Sequence, residues 1–461
     1  MATAYLQKQI TATNTTAITF SAWVKRSKLG YDAAAVFQTE NNSSDYLAMV
    51  FNGSDKIDFQ ITGTQNRRIT TRVFRDTNAW YHILVAIDSS QGSADDRIKL
   101  YINGSQETSF DTKTTNMSQG SNLSPIDATL NYAVGYYPGQ NTNYFDGQMA
   151  HVHYVVGTAY APSTFGETDS TTGIWKPKVS PTGVNYGSKG FFLKFDNSAN
   201  MGLDSSGLTN NLTVSGTIIQ NKDTPSNVFN VLNQSNPTAS NFTISDCATK
   251  ITKTGSGTLG GYLGTIMPTK GKYYFEAKII EAGNGDRTRV GVANYDSVTD
   301  SSTLQGSYSG LEVSCKDAKM IVTINGTETE TTASGAYSDG DIVQIAMDLD
   351  NKAIYVGRNG TFVTLTGTSG GDPTSGASKT GAIVTDTTYI LNGDPMCVYF
   401  GHAAGVSDTS TVAYNFGNGF FGTTAVSSAQ NPDDGIGIFE HDVPAGYRAL
   451  CTKSLNAQEY S

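Results

Sequence analysis

Residues 144–211 read YFDGQMAHVHYVVGTAYAPSTFGETDSTTGIWKPKVSPTGVNYGSKGFFLKFDNSANMGLDSSGLTNN, and this stretch decides the fold. From 148 to 156 the sequence alternates. Met149, His151, His153 and Val155 are expected on one face, and Ala150, Val152, Tyr154 and Val156 on the other. A period of two over that length specifies a strand. Residues 190–195 form a short aromatic and aliphatic run bounded by turn residues, which reads as a buried strand. Between the two lie Pro162, Pro177, Pro181 and several glycines, which forbid a helix of useful length. The stretch therefore reads as two closing strands of one β domain with an ordered excursion between them. What precedes it builds that domain, and almost everything after it builds a second.

Upstream, ITFSAWVK (18–25) alternates so that Phe20 and Trp23 fall on opposite faces. Segments 33–38 and 46–51 read as strands, with Asn52-Gly53 as a type I′ turn into 56–62. AWYHILVAID (79–88) and RIKLYING (97–104) follow. Ile83, Val85 and Ile87 are expected in one inner face and Leu100 and Ile102 in another, with Asn103-Gly104 supplying a hairpin turn. This Trp-Tyr-His opening, aliphatic run and Asn-Gly closure resembles the central signature of laminin G-type sandwiches. YFDGQMAHVHYV, FGETDSTTGIWKPK and GFFLKFDNSANMGLDSSGLTNN resemble a block in structural proteins of tailed bacteriophages, especially marine and cyanobacterial ones, where it closes a concanavalin A-like sandwich.

Downstream, residues 221–240 are rich in Asn, Ser, Thr and Pro and read as a linker, anchored in part by Val228, Phe229, Val231 and Leu232. GKYYFEAKII (271–280), RVGVANYD (289–296), KMIVTING (319–326), GDIVQIAMDLDNKAIYVGRNG (340–360) and TVAYNFGNGFF (411–421) are strand and hairpin segments. Their order resembles the SPRY domain, another bent antiparallel sandwich. The insertion 364–379 departs from that pattern, so the resemblance carries no loop surface over to this chain. The expected fold is all-β: a concanavalin A-like jelly roll over 1–220, the linker 221–240, a SPRY-like sandwich over 241–430, and a C-terminal tail, 431–461, packing on the sandwich.

Composition narrows the function. The net charge is −10 and only 16% of residues are charged, which argues against a nucleic-acid footprint, because phosphate binding needs clustered Lys and Arg. Arg67-Arg68 is an adjacent basic pair and is expected on a solvated strand edge. With 24 Tyr and 20 Phe, cores are well supplied and disorder is not expected. The four cysteines, Cys247, Cys315, Cys397 and Cys451, are far apart and read as free thiols of a reducing cytoplasm. No signal-peptide h-region follows Met1 and no apolar run suffices for a membrane span. The sandwich begins almost at Met1, and heptads and shaft repeats are missing, so a separate N-terminal anchor domain is not expected.

Glycoside hydrolysis needs two carboxylates about 5 to 9.5 Å apart across the scissile bond. Glu276 and Glu281 are five apart on one strand and are expected on opposite faces, so no catalytic residue is assigned. His151 and His153 could chelate a metal, but no third ligand lies near in sequence, and a polar, half-exposed strand face is the favoured reading. No cofactor is otherwise expected, except that Ca²⁺ is left open at Asp196, Asn197, Asp204 and Ser205, where the alternative is Asx-turns satisfying loop backbone. Sugar binding needs an aromatic face and amide or carboxylate partners for hydroxyls. Tyr136, Tyr137, Asn141, Asn143 and Tyr144 are the candidates in the first domain, with core tyrosines as the alternative. Tyr295 and Tyr308 are candidates in the second, by resemblance to SPRY binding loops.

The phage resemblance implies a non-enzymatic virion protein, made in the host cytoplasm and displayed on the particle as a fibre, appendage or knob. Its expected partners are other virion proteins, further copies of itself and host surface polysaccharide, with neither nucleic acid nor membrane insertion. The alternative is a capsid or tail decoration protein whose sandwiches serve assembly and display. A glycoside hydrolase is the more distant alternative.

Overall fold

Strand Ala17–Arg26 is buried at every position. Its even residues Ile18, Phe20, Ala22 and Val24 enter one core, whereas Trp23 enters another on the opposite face. A strand with two dry faces requires a layer on each side of its sheet. The computed structural model supplies both. It describes residues 3–11, 15–42, 44–61, 66–123, 129–137, 143–234, 241–255, 260–283, 288–298, 308–316, 319–331, 337–402 and 409–459. The chain divides into two units, Met1–Gln220 with Thr224–Ser226, and Asn221–Asp223 with Asn227–Ser461.

In the first unit an eight-stranded antiparallel sheet runs in the order Phe110–Thr115, Asn66–Thr70, Ile57–Ile61, Asp45–Phe51, Ala34–Asn42, Thr129–Val134, Tyr5–Thr11, Thr213–Ser215. It faces a six-stranded sheet, Phe191–Leu193, Gly147–Val156, Ala17–Arg26, Tyr81–Asp88, Ile98–Ile102, Ser105–Gln106. Ile83, Val85, Ile87, Ile98, Leu100 and Ile102 fill the space between them with Phe20, Phe37, Tyr132 and Tyr154. The excursion 157–190 forms the third layer. It lays Phe165, Trp175 and Tyr186 over the outer face of the six-stranded sheet, against Trp23, Leu84 and Phe192.

The alternation expected at 148–156 breaks once. Ala150 pairs with Trp23 and His153 with Ser21, so His151 and Val152 together oppose one residue, and His151 has a φ of 48°. This bulge resets the pleat. Met149 therefore faces the inner core, as do Val152, Tyr154 and Val156, while His153 and Val155 face outward. Two other expectations are corrected. Arg68 is 1% exposed rather than on a solvated edge, because Phe110–Thr115 pairs outside it and its guanidinium donates to Thr114 O at 2.7 Å and Thr115 Oγ1 at 2.6 Å. Asn52-Gly53 is not a type I′ turn. Asn52 Oδ1 accepts from the N–H groups of Ser54 and Lys56, and the left-handed residue is Asp55. Asn103-Gly104, by contrast, has both positive φ angles, 49° and 81°.

The second unit repeats the scheme. One sheet runs Phe242–Ser245, Lys250–Lys253, Ser410–Asn415, Lys272–Glu281, Ile342–Asp348, Ala353–Arg358, Thr361–Val363, with Arg448–Ala449 added in parallel to Lys272–Glu281. The other runs Gly260–Leu263, Met396–His402, Thr288–Asn294, Gly310–Ser314, Met320–Ile324, Thr327–Glu330. Phe275, Val292, Leu311, Ile345, Val398 and Tyr414 are among the residues between them. Phe439, Tyr447, Ala449 and Cys451 cover the outer face of the larger sheet over Tyr274, Ala346 and Tyr355. All four cysteines are free. No helix among the described residues is long and apolar enough to cross a membrane.

Part of the segment read as a linker is built into this second unit. Phe229 is buried in the outer layer, and Asn230 Oδ1 accepts from the N–H groups of Thr265 and Ile266 at 2.8 Å each. Leu232 lies in the main core. Domain boundaries can thus be tested by truncation. A fragment starting at Asn227 should fold with a cooperative melt. One starting at Asn236 should lose about 3–5 kcal/mol for the Phe229 ring alone and melt far lower or not at all. Equal melting of the two fragments in calorimetry would show that residues 227–235 are dispensable.

Candidate functional site

The excursion of the first unit is held by one indole. Asp169 Oδ1 accepts from the N–H groups of Thr171 and Thr172, Gly173 turns with a φ of 71°, and Lys176 Nζ lies 2.7 Å from Asp169 Oδ2. This tight hairpin, Gly166–Thr168 with Trp175–Pro177, aims Trp175 at the sheet. A Cβ on Gly166 would stand 2.4 Å from the indole, so the glycine is what lets the ring close down on the backbone. Trp175 Nε1 donates to His82 Nδ1 at 2.9 Å, and His82 Nε2 lies 2.8 Å from Ser21 Oγ. Since Nδ1 accepts, the proton sits on Nε2 and donates to Ser21. His82 also stacks on Trp23, with centroids 3.8 Å apart.

His151 and His153 join the same layer. His153 is fully buried, stacks on Phe192 at 4.0 Å and meets Tyr186 Oη through Nδ1 at 2.9 Å. His151 packs against Trp23 and Phe192. The polar, half-exposed strand face expected for this pair holds only for His151, which is half-buried; His153 lies in a covered aromatic layer, because the excursion lies over it. Burial holds all three imidazoles neutral: it pushes His82 down to about 3, His151 to about 4 and His153 well below the usual range. Among the described residues no group of three or more His, Cys, Asp or Glu is arranged to hold a metal ion.

The first-domain sugar candidates also pack inward. Tyr136 is 7% exposed and lies between Tyr5, 4.4 Å from its centroid, and Tyr144, 4.8 Å away. Both its faces are taken, which corrects the expectation of an exposed stacking platform. Tyr137 is half-buried edge-on to Tyr46, against Ala35, Ala48 and Val50. Tyr144 and Asn143 are half-buried, and Asn141 lies outside the described residues. The open Ca²⁺ question narrows as well. Asp204 Oδ1 accepts from Phe192 N and Ser206 N, and Oδ2 from Ser206 Oγ and Asn210 N. Asp196 pairs with Lys194 at 2.8 Å, and Asn197 Oδ1 accepts from Ala199 N. Donors already occupy the oxygens a Ca²⁺ would need, while Ser205 donates its N–H to Phe192 O.

In the second unit Glu276 is the most perturbed carboxyl. Burial pushes it up to about 7, a feature shared with catalytic acids. Its surroundings are structural. Oε1 accepts from Tyr274 Oη and His441 N, Oε2 from Glu440 N and Asn415 Nδ2. It is fully covered, and it fastens the C-terminal segment to the sheet.

An open feature among the described residues of this unit is a pocket of about 430 Å³ lined by Asn294, Asp296, Ser297, Tyr308, Ser309, Asn325, Gly326, Thr388, Tyr389, Asn392 and Asp394. Asn294 ends its strand buried, caps the turn Tyr295–Ser297, and donates through Nδ2 to Ile390 O at 3.2 Å and Asn392 Oδ1 at 2.8 Å. Asn392 Nδ2 in turn donates to Asp394 Oδ2 at 2.6 Å. Ser297 Oγ accepts from Ser309 N, and Ser309 Oγ accepts from Asn325 N. Asp386 Oδ1 accepts from the N–H groups of Tyr389 and Ile390. The polar floor is therefore fixed before any ligand arrives. Tyr389, at the wall, and Tyr295, between two lining residues, are each 43% exposed. Tyr308 lines the pocket but is only 1% exposed, with its ring packed on Tyr399. Tyr389, Asn392 and Asp394 were not singled out by sequence, where DTTYILNGDP reads only as a turn-rich loop far from residue 294.

Residues 2–156 match the model of the concanavalin A-like lectin/glucanases superfamily. No curated protein matches the chain significantly. Among solved structures, the SPRY domain of human HERC1 is similar at 17% identity, covering 38% of this chain and 93% of that one, with a TM-score of 0.28. A putative carbohydrate binding protein from Bacteroides ovatus is similar at 16% identity, covering 48% and 58%, with a TM-score of 0.29. An SAP-like pentraxin from Limulus polyphemus is similar at 14% identity, covering 34% and 71%, with a TM-score of 0.26.

Two outcomes follow for the first unit. Tryptophans 23, 80 and 175 are the only three in the chain, so tryptophan fluorescence reports on this unit alone. Histidines whose folded pKa lies below the unfolded value leave stability intact above about pH 6.5 and remove it as pH falls. For His82 and His151 the loss should reach about 3 kcal/mol each by pH 4. His151→Gln should shallow that slope, and a melting temperature flat from pH 7 to 4.5 would contradict the buried neutral layer. Separately, Tyr136→Ala should cost the first unit about 3 kcal/mol, read as a lowered denaturation midpoint. An unchanged midpoint would return Tyr136 to the list of free surface tyrosines.

Proposed function

We propose that this protein is a non-catalytic, carbohydrate-binding protein displayed on the surface of a tailed phage particle, where it holds host surface polysaccharide. The observation that carries the reading is the pocket of the second unit. It pairs the exposed ring of Tyr389, with Tyr295 beside it, with an amide and carboxylate floor whose geometry is set by internal hydrogen bonds. Sugars are bound by that combination: a ring face stacks on an aromatic side chain, and hydroxyls pair with planar polar groups. A preset floor spares the ordering cost that would otherwise be drawn from weak contacts. The match of residues 2–156 to a superfamily of lectins and glucanases is in keeping with carbohydrate as the ligand class.

The non-catalytic part of the proposal rests on the carboxylates. Glu276 is covered and saturated by four donors. An acidic pair, Glu312 and Glu328, shares Arg289 at 2.7 and 3.6 Å, and Glu312 is 1% exposed. Neither of these two arrangements presents two carboxyls to a substrate with room for water, and the proposal takes Asp296 and Asp394, the carboxylates that do line the pocket, as acceptors for sugar hydroxyls. Display on a virion, assembly with other virion proteins and with further copies of this chain are taken from the resemblance of segments 144–156, 165–178 and 190–211 to phage structural proteins. A shallow site of this kind is expected to bind near the millimolar range, about −4 kcal/mol, and to depend on many copies for adhesion.

Tyr389→Ala removes an exposed ring and should leave the melting temperature unchanged. It should weaken binding to host cells or glycan arrays by about tenfold, 1.4 kcal/mol, with Tyr295→Ala acting in the same direction. Virions carrying either variant should assemble normally. Full binding by both variants would overturn this site, and failure of antibody to this chain to label intact particles would overturn surface display.

A further inference from the structure

The charge of the pocket is one-sided. Asp296 and Asp394 line it, and no lysine or arginine does. Behind Tyr389, Asp386 holds the loop through the N–H groups of residues 389 and 390. The chain around the site has the same bias: residues 294–315 and 380–447 contain no lysine or arginine at all. The basic group nearest along the strand, Arg289, is bound to Glu312 at 2.7 Å and Glu328 at 3.6 Å and so is already neutralised. Asp394 Oδ2 accepts an N–H from Asn392 at 2.6 Å, which fixes the carboxylate in the pocket wall. Asp296 is exposed at the rim.

A carboxylate-bearing sugar entering such a site would bring a like charge beside two fixed anions, with nothing to offset it. A neutral hexose meets no such opposition, and its hydroxyls can donate to Asp394 and Asp296. Resting on the carbohydrate reading above, we infer that this pocket selects uncharged hexose residues and rejects uronic and other acidic sugars. The discrimination comes from repulsion built against the wrong ligand rather than from added contacts to the right one.

The full-length protein would be titrated with neutral oligosaccharides (gluco-, manno- and galacto-oligosaccharides) and with oligogalacturonate and oligoalginate of matched length. At low ionic strength at least one neutral series should bind, and the acidic series should be weaker by tenfold or more. Raising the salt should strengthen the acidic series and leave the neutral one unmoved, because screening removes only the repulsion. Asp296→Lys, at an exposed position, should keep the fold and bring the ratio of neutral to acidic affinity down to within threefold, whatever it does to the neutral affinity itself. Acidic and neutral ligands bound equally by the wild type, or an Asp296→Lys variant with unaltered preference, would overturn the inference while leaving carbohydrate binding in place. Absence of binding to every oligosaccharide would instead overturn the carbohydrate reading itself.

Discussion

An antiparallel sheet with apolar groups on both faces must be covered twice, and that requirement shapes both units of this protein. In each, two sheets enclose the principal core, and an irregular segment closes the outer face of one of them. Irregular chain brings backbone polar groups to a dry surface, so it is fastened by buried polar anchors. In the first unit the anchor is His82, which accepts from Trp175 and donates to Ser21. In the second it is Glu276, which accepts the N–H groups of Glu440 and His441. Both anchors are titratable groups kept from water, and their displaced protonation equilibria result from that burial, which for Glu276 outweighs the opposing effect of the hydrogen bonds that fasten it. A perturbed pKa here therefore marks a structural clasp.

The same requirement explains which parts of the architecture could be read from residues. ITFSAWVK, RIKLYING and GKYYFEAKII alternate as strands because their faces differ, and Asn103-Gly104 and Asn325-Gly326 adopt the left-handed pair that a tight hairpin demands. Such signals are local and survive without tertiary knowledge. The bulge at His151 was not legible, since a single left-handed residue in an otherwise alternating strand leaves no mark on the pattern. The fate of Tyr136 was not legible either. Its burial depends on Tyr5, at the other end of the domain sequence.

The candidate site was partly visible. Tyr295 and Tyr308 were placed at a polar loop, and the pocket does lie there, with Tyr308 in its lining and Tyr295 beside it. Missing was the facing loop with Tyr389, Asn392 and Asp394. Those residues are ordinary turn formers by type. What distinguishes them is the bond from Asn294 to Asn392 across some hundred residues of chain, a consequence of sheet order. Strand Thr288–Asn294 pairs directly with Met396–His402, so the loops at their ends must meet.

That pairing also bears on why the pocket is rigid although every lining residue belongs to a loop or a strand end. Tyr295 donates its N–H to Pro395 O, extending the ladder one step beyond the paired strands. Asn294 continues the link through its side chain, and Ser309 carries it to the Asn325-Gly326 turn. Each loop is thus held by the one that follows it in space, down to strands whose core residues are fully buried. In such a chain of bonds the cost of ordering is met during folding, and a ligand meets a preformed surface. The exposed rings of Tyr295 and Tyr389 are the exceptions, because they gain little from folding where they stand. On the carbohydrate proposal, aromatic area left at the rim of a preset polar floor is a part of the molecule where ligand contact, rather than stability, would account for the side chains present.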